Sequence, residues 1–296
     1  MRVKSLIPMI GLLGMAGSAE AGENLLGYTK GAEVLPKGAA ELYQWVTQRT
    51  DKGQGEYTAY DLKTEFEYGI TNRFNMTGAF LAQSIETSGL LIDGYLPEEI
   101  DTGLEPAGIT VGAKYNFLSP AADDFGLTMA LEGAYMWKDP HSGQDKDTFT
   151  VELAMYMQKF FMEGQLVWLG NLGMESTYAH RADIEGLPAD FDWPTEPEME
   201  IGIAAKTGLS YRFVPNWYIG AEIFYEEEFE TEVGSERWSV FAGPSIHYGG
   251  ARWWTTLTWV TQLKGGGEVY EGQIDQNLHL IEKTEDEIRL KVGYNF

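Results

Sequence analysis

The stretch EMEIGIAAKTGLSYRF, residues 198–213, sets Met199, Ile201, Ile203, Ala205, Leu209, Tyr211 and Phe213 on one parity and Glu200, Lys206, Ser210 and Arg212 on the other. Alternation of this kind means an extended chain, because successive side chains of a strand leave on opposite faces. Its length carries the information. Ordinary strands run to about five or six residues, whereas crossing a bilayer takes about 9 to 11, with one face in lipid and the other in a polar interior. A water-soluble sheet with one solvated face would give the same pattern over a single segment, so repetition decides the fold.

The pattern repeats. Between Tyr57 and Ile70 the column Tyr60, Leu62, Thr64, Phe66, Tyr68 and Ile70 alternates with Asp61, Lys63, Glu65, Glu67 and Gly69. Gly108 to Phe117 separates Ile109, Val111, Ala113, Tyr115 and Phe117 from Thr110, Gly112, Lys114 and Asn116. Leu127, Met129, Leu131, Gly133, Tyr135 and Trp137 alternate with Thr128, Ala130, Glu132, Ala134 and Met136. Weaker alternation marks 39–49, 73–85, 148–159, 164–176, 217–229, 237–248, 252–263 and 285–296, which brings the total to twelve. An even number returns both chain ends to one side, as single-chain bacterial outer-membrane barrels require. The expected fold is therefore all-β, a transmembrane antiparallel up-and-down barrel of twelve strands.

Links and ends agree with this topology. Short links such as Thr71-Asn72, Val214-Pro215-Asn216 and Gly249-Gly250-Ala251 alternate with long ones at 86–106, 177–197 and 264–284, the asymmetry of tight periplasmic turns and larger external loops. Aromatics gather beside the short links: Tyr68 and Phe74, Phe160 and Phe161, Phe213 and Trp217, Tyr248, Trp253 and Trp254. An interfacial girdle predicts that placement. At the start, Arg2 and Lys4 precede an apolar run ending near Gly17, and Ala19-Glu20-Ala21 gives a small-x-small cleavage pattern. The chain thus divides into a signal peptide over 1–21, a short periplasmic segment over 22–37 and the barrel over 38–296, with export through the inner membrane implied.

The formal net charge is -24. Cleavage would remove Arg2, Lys4 and Glu20, a net loss of one positive charge, and leave -25. That balance excludes a nucleic-acid partner, whose phosphates need a basic surface. The absence of cysteine excludes disulfides and thiolate chemistry.

On the last strand Ile288, Leu290, Val292, Tyr294 and Phe296 share a face, and Phe296 is the final residue. This resembles the C-terminal signature of bacterial outer-membrane barrels. By that resemblance, Tyr294 and Phe296 form an assembly signal read by the outer-membrane assembly machinery; the barrel reading itself adds outer-membrane lipid as a partner and expects a monomer. The run from Glu67 to Phe74 and the Ala242-Gly243-Pro244-Ser245 segment are similar to those of uncharacterised Gram-negative outer-membrane barrels labelled as transporters, including the group associated with the MetA pathway of phenol degradation. Pro244 removes a ladder donor from a strand interior and marks an expected bulge.

Catalytic constellations are thin. The twelve-stranded phospholipase family carries a His-x-Ser-Asn-Gly motif, whereas here Ser245-Ile246-His247 has the reverse order beside a short turn, and His141-Ser142 would point oppositely on a strand. Neither pairs a nucleophile with its base. His141, His180, His247 and His279 are scattered without metal-ligand spacing. We therefore expect no catalytic residues, no metal site and no cofactor. Glu98, Glu99, Asp101 and Glu105 in one loop, and Asp183, Glu185, Asp190 and Asp192 in another, read as solvated acidic loops with divalent cations as the sharper alternative. Gly265-Gly266-Gly267 reads as a flexible loop.

The polar parity carries the functional signal. Asp61, Lys63, Glu65, Lys114, Glu132, Glu152, Lys206, Arg212, Glu222, Arg237, Arg289 and Lys291 all fall on it and are expected to line the lumen. Charge in a narrow dry interior is costly, so these groups must pair or meet water. On this parity Thr128→Arg is expected to be better tolerated than the lipid-facing Leu131→Arg or Ile203→Arg. The expected function is a narrow passive channel for small solutes. The alternative is a non-conducting structural or adhesive barrel working through its long loops, and a lipid-acting barrel enzyme is the remote one.

Overall fold

The computed structural model describes residues 24–92, 99–182, 197–230 and 234–296. The expected signal peptide lies outside them, as do Glu98, Asp183, Glu185, Asp190 and Asp192. Twelve strands are present among the described residues: β1 (Ala40–Thr50), β2 (Gln54–Gly69), β3 (Phe74–Leu91), β4 (Glu105–Leu118), β5 (Gly126–Lys138), β6 (Asp145–Phe161), β7 (Leu166–Arg181), β8 (Glu198–Val214), β9 (Trp217–Glu230), β10 (Gly234–Gly249), β11 (Trp253–Gly266) and β12 (Asp286–Asn295). Each pairs antiparallel with its neighbours in sequence, and β1 closes onto β12 from Glu41 opposite Asn295 to Thr50 opposite Asp286. Closure leaves no open edge, the condition for a sheet in hydrocarbon, where an unpaired backbone group costs several kcal/mol.

Alternation fixes the two surfaces. Leu131, Ile203, Leu172, Ile219 and Leu257 project outward and are exposed to the surroundings, while Tyr43, Glu65, Thr128, Phe241 and Lys291 project inward and are buried. Outward aromatics band both ends, with Tyr68, Tyr115, Phe213, Trp217 and Trp253 near the short turns and Tyr60, Tyr135, Tyr178 and Trp259 toward the long loops. Two girdle assignments are corrected. Trp254 is buried in the lumen with its indole donating to Glu41, and Phe160 packs inward against the Leu25, Leu26, Val167 and Tyr218 cluster.

Pro244 stands opposite Ala221 in unbroken register, so the expected bulge is absent there; the irregularity in the β10–β11 ladder lies at Val240/Phe241. Beside the proline, Gly243 lets the Trp259 carbonyl of β11 come so close that any Cβ would collide with it. Gly265 and Gly266 belong to β11 instead of a flexible loop, and the Gly265 amide donates to Asn277 O (2.5 Å). A side chain at Gly265 would meet the His279 backbone.

Candidate functional site

The lumen is the candidate site, and its first occupant is the chain itself. Residues 24–37 were expected in the periplasm. Those described run instead from the short-turn end into the barrel, cross it and return beside the β2–β3 turn, where Gly38 N donates to Gly69 O (2.8 Å). This strap forms no ladder, so the wall must serve its buried backbone. The Glu222 carboxylate accepts from the amides of Gly27 (2.8 Å), Tyr28 (3.0 Å) and Thr29 (2.7 Å) and from the Thr29 hydroxyl (2.9 Å). Lys291 Nζ donates to Asn24 Oδ1 (3.1 Å) and Leu26 O (3.2 Å), and Thr256 donates to Asn24 O (2.6 Å). Asn171 brackets Lys30, accepting from its N–H and donating to its carbonyl, both at 2.7 Å. Gln158 accepts from Ala32 N (2.8 Å), while Thr128 (2.6 Å) and Asn116 (2.9 Å) donate to Ala32 O. Leu26 fills a hollow that exists because β8 and β9 carry Gly208 and Gly220, where a Cβ would strike it.

Two links fold inward from the opposite end. Between β5 and β6, the Asp139 carbonyl accepts from Gln83 (3.0 Å), Pro140 O from Arg49, and His141 O from Tyr57 (3.2 Å). Between β11 and β12, Leu278, His279, Leu280 and Ile281 are buried, and Gln262 accepts from His279 N (2.7 Å) while donating to His279 O (3.0 Å). Burial pushes the His279 imidazole down to about 4, helped by Arg237 and Lys283, and holds His141 well below its ordinary range, helped by Lys52. Burial likewise lowers Lys52, in the β1–β2 link, to about 7, with Arg49 acting in the same sense.

The charged residues sort by depth. Toward the long-loop end Arg49 grips Asp61 (2.6 Å), and Arg237 meets Glu228, Glu236 and Glu282. Toward the short-turn end Lys114 pairs with Glu67 (2.6 Å), Glu222 and Lys291 hold the strap, and Arg212 borders a vestibule of about 590 Å³. Between them lies a chamber of about 250 Å³, bordered by Lys63, Glu132, Glu152, Lys206 and Arg289. There Lys63 pairs with Glu65 (2.9 Å) and Glu132 (3.2 Å), and Lys206 with Glu226 (2.8 Å).

Sequence reasoning missed Trp45, Glu175, Glu226, Glu228 and Lys283, which also border the chamber. Parity would have found Glu226 and Glu228, two and three steps along from Glu222, and Glu175 between Met174 and Ser176. Nothing local marks Lys283, whose position depends on the β11–β12 link folding inward to reach Glu228 (3.1 Å) and Glu226 (3.5 Å).

The candidate histidines have structural surroundings. His247 Nδ1 lies 2.7 Å from the Thr256 hydroxyl, beneath the strap, and its ring stacks on Trp254. Tyr294 and Phe296 sit on the outward face at the end of β12.

The sequence model of a family of unknown function (DUF6662) matches residues 18–296. A comparison with curated proteins gave no match. Among solved structures, the COG4313 outer membrane channel from Pseudomonas putida F1 is similar at TM-score 0.58 and 14% identity, over 90% of this chain and 98% of that one. The beta domain of the Bordetella autotransporter BrkA follows at 0.51 and 9%, over 87% and 99%. The translocator domain of the autotransporter NalP from Neisseria meningitidis is at 0.50 and 11%, over 87% and 88%. At these identities the likeness concerns the fold, that of outer-membrane barrels. Neither the family description nor these names refer to phenol degradation, so that likeness adds no substrate.

Proposed function

Because the chain belongs to a family of unknown function, DUF6662, its role has to be read from its lumen, and we propose that it is a narrow passive channel for small solutes in the bacterial outer membrane. The observation that carries this reading is the chamber between the strap and the inward links. Glu152 and Glu175 border it with no ion-pair partner among the described residues, and Arg289 borders it with none either. A barrel built only for strength would pair or replace such groups, since an unpaired buried charge is costly; groups left this way are served by water. The strap lines both this charged chamber and a vestibule of about 590 Å³, and that succession of cavities along the bore supports the reading of a conduit.

Passage in this reading is diffusion down a gradient, with no bond made or broken. The strap stands between chamber and vestibule and sets the constriction. The signal at 1–21 would export the chain, Tyr294 and Phe296 would present it to the assembly machinery, and a monomer would suffice.

One observation favours the rival, a non-conducting barrel: both ends of the bore are occupied, by the strap from one side and by two links from the other. Reconstitution into planar bilayers tests the choice. Reproducible single-channel steps support the channel. Their absence, in protein whose barrel is shown to be folded by circular dichroism and heat-modifiable migration, supports the closed barrel.

A further inference from the structure

Set apart from the paired Lys206, Lys283, Glu226 and Glu228, the remaining charges of the chamber are polarised across its width. In a ring of twelve strands β6 and β7 lie across from β12 and β1. On the first wall Glu152 stands directly opposite Glu175 in the β6–β7 ladder, and Glu132 directly opposite Glu152 in the β5–β6 ladder. Like charges in direct cross-strand register repel. Glu132 has Lys63 to offset its charge, but Glu152 and Glu175 have no ion-pair partner among the described residues.

The facing wall is cationic and aromatic. Around the indole of Trp45, on β1, the charged ends of Lys291, Lys63, Lys30 and Arg289 stand 4.7, 5.1, 5.4 and 5.4 Å from the ring centre. An aromatic face attracts cations, which explains how several are tolerated together. Of these, Arg289 meets no carboxylate within ion-pair distance among the described residues. Its guanidinium stacks 3.7 Å over Tyr28 and donates to Thr47 Oγ1 (2.8 Å) and Gly27 O (3.4 Å), which leaves donor capacity toward the chamber. At about 250 Å³ the space is below the roughly 300–1,000 Å³ of drug-sized ligand sites, so its occupant is small.

We infer that the chamber is a selectivity site for small zwitterions of the α-amino-acid class, with the ammonium end against Glu152 and Glu175 and the carboxylate end against Arg289. A single anion would satisfy the cationic wall and be repelled by the glutamate pair; a single cation would do the reverse. A solute with both charges a few bonds apart complements both walls, and that complementarity suppresses wrong partners as well as attracting right ones. The inference rests on the channel reading and names its substrate class.

The test uses the full-length protein in liposomes and four probes of nearly equal size: L-alanine as zwitterion, L-alaninamide as cation, lactate as anion and lactamide as neutral reference. Swelling rates relative to lactamide are expected to be highest for alanine, by about tenfold over lactate. Glu152→Gln with Glu175→Gln lowers the alanine and alaninamide ratios but not the lactate ratio. Arg289→Gln lowers the alanine ratio and raises that of alaninamide, whereas Arg289→Lys restores the preference for alanine. Heat-modifiable migration verifies that each variant is folded. If lactamide passes but alanine is no faster than the singly charged probes, the inference is overturned and the channel stands. If none of the four passes through folded protein, both fail.

Discussion

Glu222→Gln acts at the point where the wall grips the strap, and its effect can be worked from the contacts. The wild-type carboxylate accepts three backbone amides, of Gly27, Tyr28 and Thr29, together with the Thr29 hydroxyl, within 2.7–3.0 Å. Glutamine keeps one carbonyl oxygen and turns an NH₂ toward donors, so at least one buried amide loses its acceptor. A hydrogen bond to a charged group contributes about 1.5–3 kcal/mol net. Losing one, with the others weakened to neutral bonds, costs about 3 kcal/mol, on the order of a hundredfold in the ratio of docked to released strap. The β8–β9–β10 ladder at Gly208, Glu222 and Gly243 is backbone-made and survives the change. The variant is therefore expected to keep heat-modifiable migration, while hydrogen exchange at the Gly27, Tyr28 and Thr29 amides speeds up by about two orders of magnitude. In planar bilayers its openings should be larger or longer than those of the wild type. Wild-type protection of these three amides would refute the account of how the strap is held. Faster exchange with unchanged conductance would show that the strap does not set the constriction.

Three further outcomes are expected. Leu131→Arg or Ile203→Arg puts charge against lipid, at about 2–4 kcal/mol near the midplane, and folding yield into lipid vesicles should fall accordingly; Thr128→Arg, which parity alone makes tolerable, should fare no better, because Thr128 is fully buried and donates to Ala32 O, and tolerance of it would contradict the docked strap. The His279 imidazole is depressed to about 4 in the folded protein against about 6.5 when free, so the docking of the β11–β12 link is fully favourable above pH 6.5 and loses up to about 3 kcal/mol as the pH falls toward 4. Exchange of the His279 amide, which donates to Gln262, should then accelerate beyond its intrinsic pH dependence, and a link equally protected at pH 4 and pH 7 would contradict the sign. Small-ion current should favour cations and do so less at high salt, given the formal charge of -24 and the lack of an ion-pair partner for Glu152 and Glu175 among the described residues; an anion-selective reversal potential across a KCl gradient would mean that Arg289 and the cations around Trp45 dominate.

The strands were legible because a membrane barrel imposes one rule on every residue of every crossing. An outward side chain meets lipid and an inward one does not, so the observed bounds of β8 (Glu198–Val214) and β12 (Asp286–Asn295) lie close to those read from alternation, whereas β3 runs on to Leu91 and β7 to Arg181, past the 85 and 176 expected, because the pairing continues into what the sequence assigns to the long loops. The strap had no such rule to betray it. Asn24 to Ala32 has no period, forms no ladder and owes its position to Glu222, Asn171, Gln158 and Lys291, which come from four different strands. Its only local trace is complementary: Gly208 and Gly220, glycines inside otherwise regular strands, mark the hollow that Leu26 fills.

Parity places a charge inside the barrel without giving its depth, and depth decides what the charge does. Glu222 and Glu152 have the same residue type and the same inward face, but Glu222 lies five residues from the short-turn end of β9 and Glu152 nine from that of β6, and one is saturated by strap amides while the other borders open space. The difference arises from a strap that descends only part of the bore and from links that fill the other end, both set by contacts far apart in sequence. A column of twelve inward charges that reads as a uniform pore lining is therefore divided in three: Lys291 and Glu222 hold the strap, Asp61 and Arg237 lock the long-loop end, and Glu132, Glu152, Lys206 and Arg289 are among those left facing the chamber. If the barrel conducts as proposed, its selectivity resides in that middle band, because charges at the narrow part of a conduit act at closer range and in lower dielectric than those at its mouths.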